Sequence, residues 1–221
     1  MNIARNLAEL RRAVPNHVKI IAVSKTKPVN LLQAAYDAGQ KAFGENYVQE
    51  IVEKHTELPS DIEWHFIGHL QTNKVKNIAP FVSYIHAVDS EKLLREIDKQ
   101  AEKNTRIIHC LLQFHIADEE SKFGFQLDNY FEVIKAIPFH EFKNIKICGV
   151  MGMASFVQNQ LQIENEFSTL RDIFQHLKNE IFSQNEDFKE LSMGMSGDWP
   201  LAVDKGSTMI RIGSSLFGNR I

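Results

Sequence analysis

Residues 18–28 read VKIIAVSKTKP. Five of the first six are apolar, four of them β-branched, and the run passes straight into Ser24 and Lys25. Strands that are apolar almost throughout belong to parallel sheets covered on both faces. Lysine is seldom buried without a partner or a chemical task. Lys25 at the end of such a strand is therefore either a solvated residue or a functional amine, and the rest of the chain has to decide.

Outward from this run the pattern repeats. Strand-like apolar segments recur at 42–45, 63–67, 84–88, 107–114, 145–150, 191–195 and 209–212. Helix-like segments alternate with them at 29–39, 47–58, 74–79, 90–104, 129–137, 163–180 and 200–205. Ser90 and Asn129 are N-cap candidates, and Gly39 is a C-terminal stop. Eight buried strands alternating with helices predict an α/β protein built as a (β/α)8 TIM barrel. A doubly wound open sheet is the competing arrangement. Ile3, Leu7, Leu10 and Val14 fall at helical spacing, which predicts an extra N-terminal helix as a cap. The 221 residues are expected to form one domain, 1–221, with no second domain.

Composition excludes several function classes. A net charge of −3 in 221 residues lacks the basic excess of a nucleic-acid footprint. No apolar run approaches the roughly 20 residues of a membrane span. Charges scattered through residues 1–16 interrupt what would be the apolar core of a signal peptide. Cys110 and Cys148 lie in apolar runs and read as buried, reduced thiols of a cytoplasmic protein. His65 and His69 show no metal-ligand spacing such as H-E-x-x-H and read as structural; no metal is expected.

In a barrel the site forms at the C-terminal ends of the strands, often with a phosphate site after the last two. The first strand delivers Lys25, and the second delivers Glu45, Asn46 and Tyr47. The seventh leads into MGMSGDW, 193–199, and the eighth into RIGSSLFG, 211–218. Glycines allow close backbone approach to an anion and serines add hydroxyls, so Ser196, Gly197, Gly213 and Ser214 make a phosphate cradle. Barrel closure sets the eighth strand beside the first, and Lys25 beside the cradle. A desolvated lysine near a phosphate site suits a Schiff base with a phosphorylated aldehyde. Pyridoxal 5'-phosphate fits, and so does the substrate of a sugar-phosphate aldolase. Arg211 shares a face with Gly213. Inside a barrel it must meet a carboxylate, such as Glu45, or a ligand acceptor, such as a pyridine nitrogen.

The segments IAVSKTKP, FGENYVQE, WHFIGHLQTNK, DEESKFG, GVMGMAS, LSMGMSGDW and GSTMIRIGSSLFGNR resemble, in order and spacing over residues 18–220, the YggS/PROSC family of pyridoxal phosphate homeostasis proteins. The resemblance implies a fold-type III barrel like the N-terminal domain of alanine racemase, with pyridoxal 5'-phosphate held as an internal aldimine on Lys25. It further implies that Arg211 faces the pyridine nitrogen, that Ser196, Gly213 and Ser214 hold the phosphate, and that Asn46 lies beside the cofactor. His115 stands where many relatives carry asparagine, and reads as a half-buried, hydrogen-bonded histidine.

Two functions follow from the resemblance: a non-catalytic carrier that buffers and delivers the cofactor, or an amino-acid racemase or lyase of the alanine-racemase type. Cα proton abstraction needs a positioned base besides the cofactor. Fold-type III racemases take a tyrosine from a following β-domain, whereas this chain has only Tyr36, Tyr47, Tyr84 and Tyr130. The carrier is the expectation: no catalytic residues, apo-enzymes as recipients, no nucleic acid, no membrane, and a monomer. Lys122, beside Asp118, Glu119 and Glu120, reads as a solvated ion-pair residue, with a second amine for cofactor in transit as the alternative.

Overall fold

The computed structural model describes residues 2–118 and 123–218; Lys122, with Glu119 and Glu120, lies outside the described residues. Its elements are α1 (Ile3–Ala13), β1 (Lys19–Val23), α2 (Val29–Asp37), β2 (Ala42–Glu45), α3 (Val48–Glu57), β3 (Glu63–Phe66), α4 (Val75–Ile78), β4 (Tyr84–Val88) and α5 (Glu91–Lys103). They continue as β5 (Ile108–Phe114), α6 (Tyr130–Ala136), β6 (Ile145–Gly152), α7 (Gln160–Glu180), β7 (Glu190–Met195), α8 (Trp199–Asp204), β8 (Met209–Ile212) and α9 (Ser214–Phe217). The eight strands close in sequence order into a barrel. β8 pairs in parallel with β1, Met209 opposite Lys19 and Arg211 opposite Ile21. That closure selects the barrel over the open sheet.

Alternation along each strand sorts the side chains into two cores. Ile21, Ala42, Leu111, Cys148, Met151 and Met209 fill the barrel interior. A larger core, including Phe43, Trp64, Phe66 and Phe167, lies between barrel and helices. Both cysteines are buried free thiols, and burial pushes the Cys148 thiol up to about 12. Gly149, at φ 152°, is required where β6 meets β7, because a Cβ there would sit 1.8 Å from the Glu190 carbonyl oxygen.

Three local expectations are corrected. β6 runs on to Gly152, paired with Phe114, because its ladder continues through a glycine that would otherwise signal a stop. α7 begins at Gln160, not 163, since the polar Asn159 caps it by accepting from the Gln162 N–H at 3.3 Å. The N-terminal helix does not cap an end of the barrel. It packs against α2 and α9, in the outer layer where the one-turn α9 leaves the β8–β1 seam uncovered. Ser90 caps α5 through the Leu93 N–H, whereas Asn129 precedes α6 without a side-chain cap. Among the described residues no helix is long and apolar enough to cross a membrane.

Candidate functional site

A cavity of about 590 Å3 opens over the C-terminal ends of β1, β2, β6, β7 and β8. Lys25, Asn46, Ser196, Arg211, Gly213 and Ser214 all line it. Residues from opposite ends of the chain meet there because β8 and β1 are neighbours.

Lys25 is half-buried and sits on a pinned turn. The Ser24 hydroxyl donates to Glu45 Oε1 at 2.6 Å, and the Thr26 N–H donates to Glu50 Oε2 at 2.7 Å. Lys54 Nζ, from α3, reaches the Ser24 carbonyl at 2.8 Å and both carboxylates at 2.7 Å. Thr26 holds φ at 61°, a left-handed conformation that costs a non-glycine residue about 1–3 kcal/mol. Glu45 points away from the cavity into this cluster. Burial raises its pKa, against the lowering pull of Lys54 and Ser24. The expected alternative of a Glu45–Arg211 ion pair is therefore not formed, because alternation along β2 turns Glu45 outward.

Asn46 follows Glu45 and faces the cavity. Its Oδ1 is buried with no hydrogen-bond partner among the described residues, an arrangement that costs about 1–3 kcal/mol unless a ligand donor meets it. Gly68, at the end of the third-strand motif, fixes this placement: a Cβ there would stand 2.3 Å from the Asn46 carbonyl oxygen. Sequence reasoning placed Gly68 only as the start of GHLQTNK, 68–74, after the third strand, with no role of its own, and passed over Lys54. The signal for Gly68 was a lone glycine directly after a strand.

On the far side, Ser196 Oγ accepts from the Gly213 N–H at 3.2 Å and the Ser215 N–H at 3.4 Å. This ties the loop after β7 to the turn after β8 and leaves the Ser196 O–H to donate elsewhere. A Cβ on Gly197 would meet no atom within 4 Å, and on Gly213 none closer than 3.5 Å. Arg211 is 4% exposed. It donates through Nη1 to the Ser192 hydroxyl at 2.7 Å and carbonyl at 2.9 Å, and through Nη2 to the Gly152 carbonyl at 3.0 Å. Burial lowers its pKa to about 10, with Asp198 opposing, so it stays cationic at neutral pH.

Lys27 also lines the cavity and donates to the Gly218 carbonyl at 3.1 Å; the other candidates fall elsewhere. None of the four tyrosines is among the residues lining the cavity. Tyr47 precedes α3 and is 54% exposed. Tyr36 bonds Asp61, Tyr130 bonds His176, and Tyr84 stacks between His65 and His109. His69 stacks on Phe123 and faces Asp89 at 3.3 Å. His115 is half-buried, 3.5 Å from Gln126 Oε1. Among the described residues no three His, Cys, Asp or Glu converge as metal ligands.

The arrangement offers an amine, an interior cation, an unpaired amide oxygen and a hydroxyl-rich turn to one small anionic ligand. Comparison with known proteins agrees with that chemistry. Residues 1–220 match the family model of the alanine racemase N-terminal domain. The pyridoxal phosphate homeostasis protein of Haemophilus influenzae is 38% identical, over 100% of this chain and 97% of that one. PipY of Synechococcus elongatus, solved with pyridoxal phosphate bound, superposes with a TM-score of 0.86 at 36% identity, covering 98% of this chain and 100% of PipY. Alanine racemase of Clostridium difficile shares the fold, with a TM-score of 0.78 at 13% identity, and this chain spans 57% of it.

Proposed function

The chain belongs to the alanine racemase N-terminal domain family, among the pyridoxal phosphate homeostasis proteins, and from that premise we propose that it binds pyridoxal 5'-phosphate and serves its intracellular homeostasis. It buffers and delivers the cofactor from one barrel domain, residues 1–221, as a cytoplasmic monomer whose recipients are apo-enzymes. The observation that carries the reading is the convergence of Lys25, Arg211 and the Ser196–Gly213–Ser214 turn on one cavity at the β8–β1 seam.

When bound, pyridoxal phosphate supplies an aldehyde that an amine attacks and a ring that draws electrons. The residues present fit it. Lys25 offers the amine, on a turn that Lys54 and Glu50 keep fixed. Ser196, Gly213 and Ser214 offer hydroxyl and backbone donors to the phosphate. Arg211, a permanent donor at neutral pH, offers an N–H to the ring nitrogen and disfavours a proton there. Asn46 Oδ1 lies where a ligand donor would relieve it.

The same placements support a carrier over a racemase. A second acid–base group opposite Lys25 is what a racemase requires, and none of the four tyrosines is among the residues lining the cavity. The purified protein should be yellow. Borohydride reduction followed by peptide mapping should place the pyridoxyl group on Lys25, and Lys25→Ala should abolish covalent attachment while the chain stays folded. Label on Lys27, which also lines the cavity, would overturn the assignment. Incubation of the loaded protein with alanine or serine in D2O should give negligible racemisation and α-deuterium uptake, because each missing acid–base group removes a factor of about 10²–10⁴. Rapid exchange that disappears in Lys25→Ala would establish an enzyme instead.

A further inference from the structure

Beneath the cavity a row of polar groups crosses the barrel interior from one end to the other. Arg211 Nη1 lies 2.7 Å from Ser192 Oγ, which lies 3.0 Å from His86 Nδ1. His86 Nε2 is 2.8 Å from His65 Nδ1, and His65 Nε2 is 2.6 Å from Glu63 Oε1. Lys19 Nζ meets the same carboxylate oxygen at 2.7 Å. Ser192, His86 and His65 are fully buried, whereas the Glu63 side chain is 35% exposed at the opposite rim.

The carboxylate end dictates where the protons sit. An ionised carboxylate can only accept, so His65 carries its proton on Nε2 and donates it to Glu63. Burial favours the neutral form of both rings, so His65 Nδ1 accepts from His86 Nε2 and His86 Nδ1 accepts the Ser192 proton. Ser192 Oγ accepts in turn from Arg211, which can only donate. Reversing the row would require the carboxylate to donate.

Among the described residues Arg211 hydrogen-bonds no carboxylate; it donates to Ser192 and to the Gly152 carbonyl. Resting on the cofactor reading above, we infer that Ser192, His86, His65 and Glu63 form a one-directional relay that positions Arg211 under the cofactor ring and links it to a counter-charge at the far end of the barrel. The relay fixes the guanidinium from below. A direct ion pair would instead occupy the edge it presents to a ligand.

Nitrogen-15 NMR of the cofactor-free chain at neutral pH tests the polarity: both rings should be neutral, with the proton on Nε2. The link to Arg211 is read from the visible spectrum after adding pyridoxal phosphate. His86→Phe removes the acceptor for Ser192. It should shift the absorption band of the bound cofactor and hasten cofactor loss about three- to tenfold, the weight of one hydrogen bond. His86→Asn, which restores an acceptor near Nδ1, should return both towards wild type. Glu63→Leu, at the half-exposed end, should act in the same direction and serves if His86→Phe does not fold. A ring protonated on Nδ1, or folded His86→Phe or Glu63→Leu chains that are less stable but keep the wild-type band and retention, would overturn the relay. A wild-type chain that takes up no pyridoxal phosphate overturns the cofactor reading instead, while the ring tautomers still judge the polarity.

Discussion

Ser196 and Ser214 reduce the phosphate assignment to single hydroxyls. Ser196→Ala and Ser214→Ala should each weaken retention of pyridoxal phosphate by about 1–3 kcal/mol, the usual cost of losing a hydrogen bond to a charged group. The losses should be less than additive, since both hydroxyls serve one anion. Pyridoxal, which lacks the phosphate, should bind poorly to wild type and lose little more in either variant; equal sensitivity for the two ligands would remove the assignment. Both serines were legible in the sequence because two Gly–Ser turns follow the last two strands. Lys25 was legible because a charge ends an apolar run. Ser192 and His86 were not, since an isolated polar residue in an apolar strand points nowhere until the partner strands are known. Only the two-residue spacing of Glu63 with His65, and of Tyr84 with His86, hinted that polar groups share the inner face.

Between elements, the turn from β1 to α2 depends on α3. Lys54 is 5% exposed and Glu45 fully buried, and together with Glu50 they grip the backbone on both sides of Lys25. Removing one partner of a buried pair strands the other charge, so Lys54→Met should destabilise the protein by about 3–5 kcal/mol. Adding Glu45→Leu should recover much of that stability without restoring cofactor retention, because the turn has lost its anchor; urea unfolding and cofactor titration check the two halves separately. Element types and their order were readable from apolar periodicity, except for the one-turn α9, Ser214–Phe217, which the Gly–Ser turn reading passed over. The clamp was not, because Lys54 shares a helix face with the buried Ile51 and Leu58, where a lysine has no evident partner until the approach of α3 to the turn reveals its role.

For the whole molecule, the interior histidines tie stability to pH. Burial depresses the pKa of His65 and His86, so the native rings stay neutral while the unfolded chain takes up protons below its ordinary value of about 6.5. Their contribution is therefore fully present above that value and is lost as the pH falls below it. The midpoint of urea unfolding should drop between about pH 7 and 5.5, and the drop should shrink in His65→Gln with His86→Asn. An unchanged slope would mean the rings take up protons in the native state as readily as in the unfolded chain. The barrel was legible from eight alternating runs, but its closure, which no local pattern encodes, has a temporal consequence. Asn6 Nδ2 donates to the Leu216 carbonyl at 3.0 Å across 210 positions of sequence, and β1 waits for β8. Contacts so distant in sequence slow folding, so the seam forms only after the last strand has left the ribosome, and the cavity forms with it. A ligand held by Lys25 on one side and by Ser196, Gly213 and Ser214 on the other would act as a clasp across that seam. The loaded chain should then open more slowly than the empty one, and the cargo would set the lifetime of its own carrier.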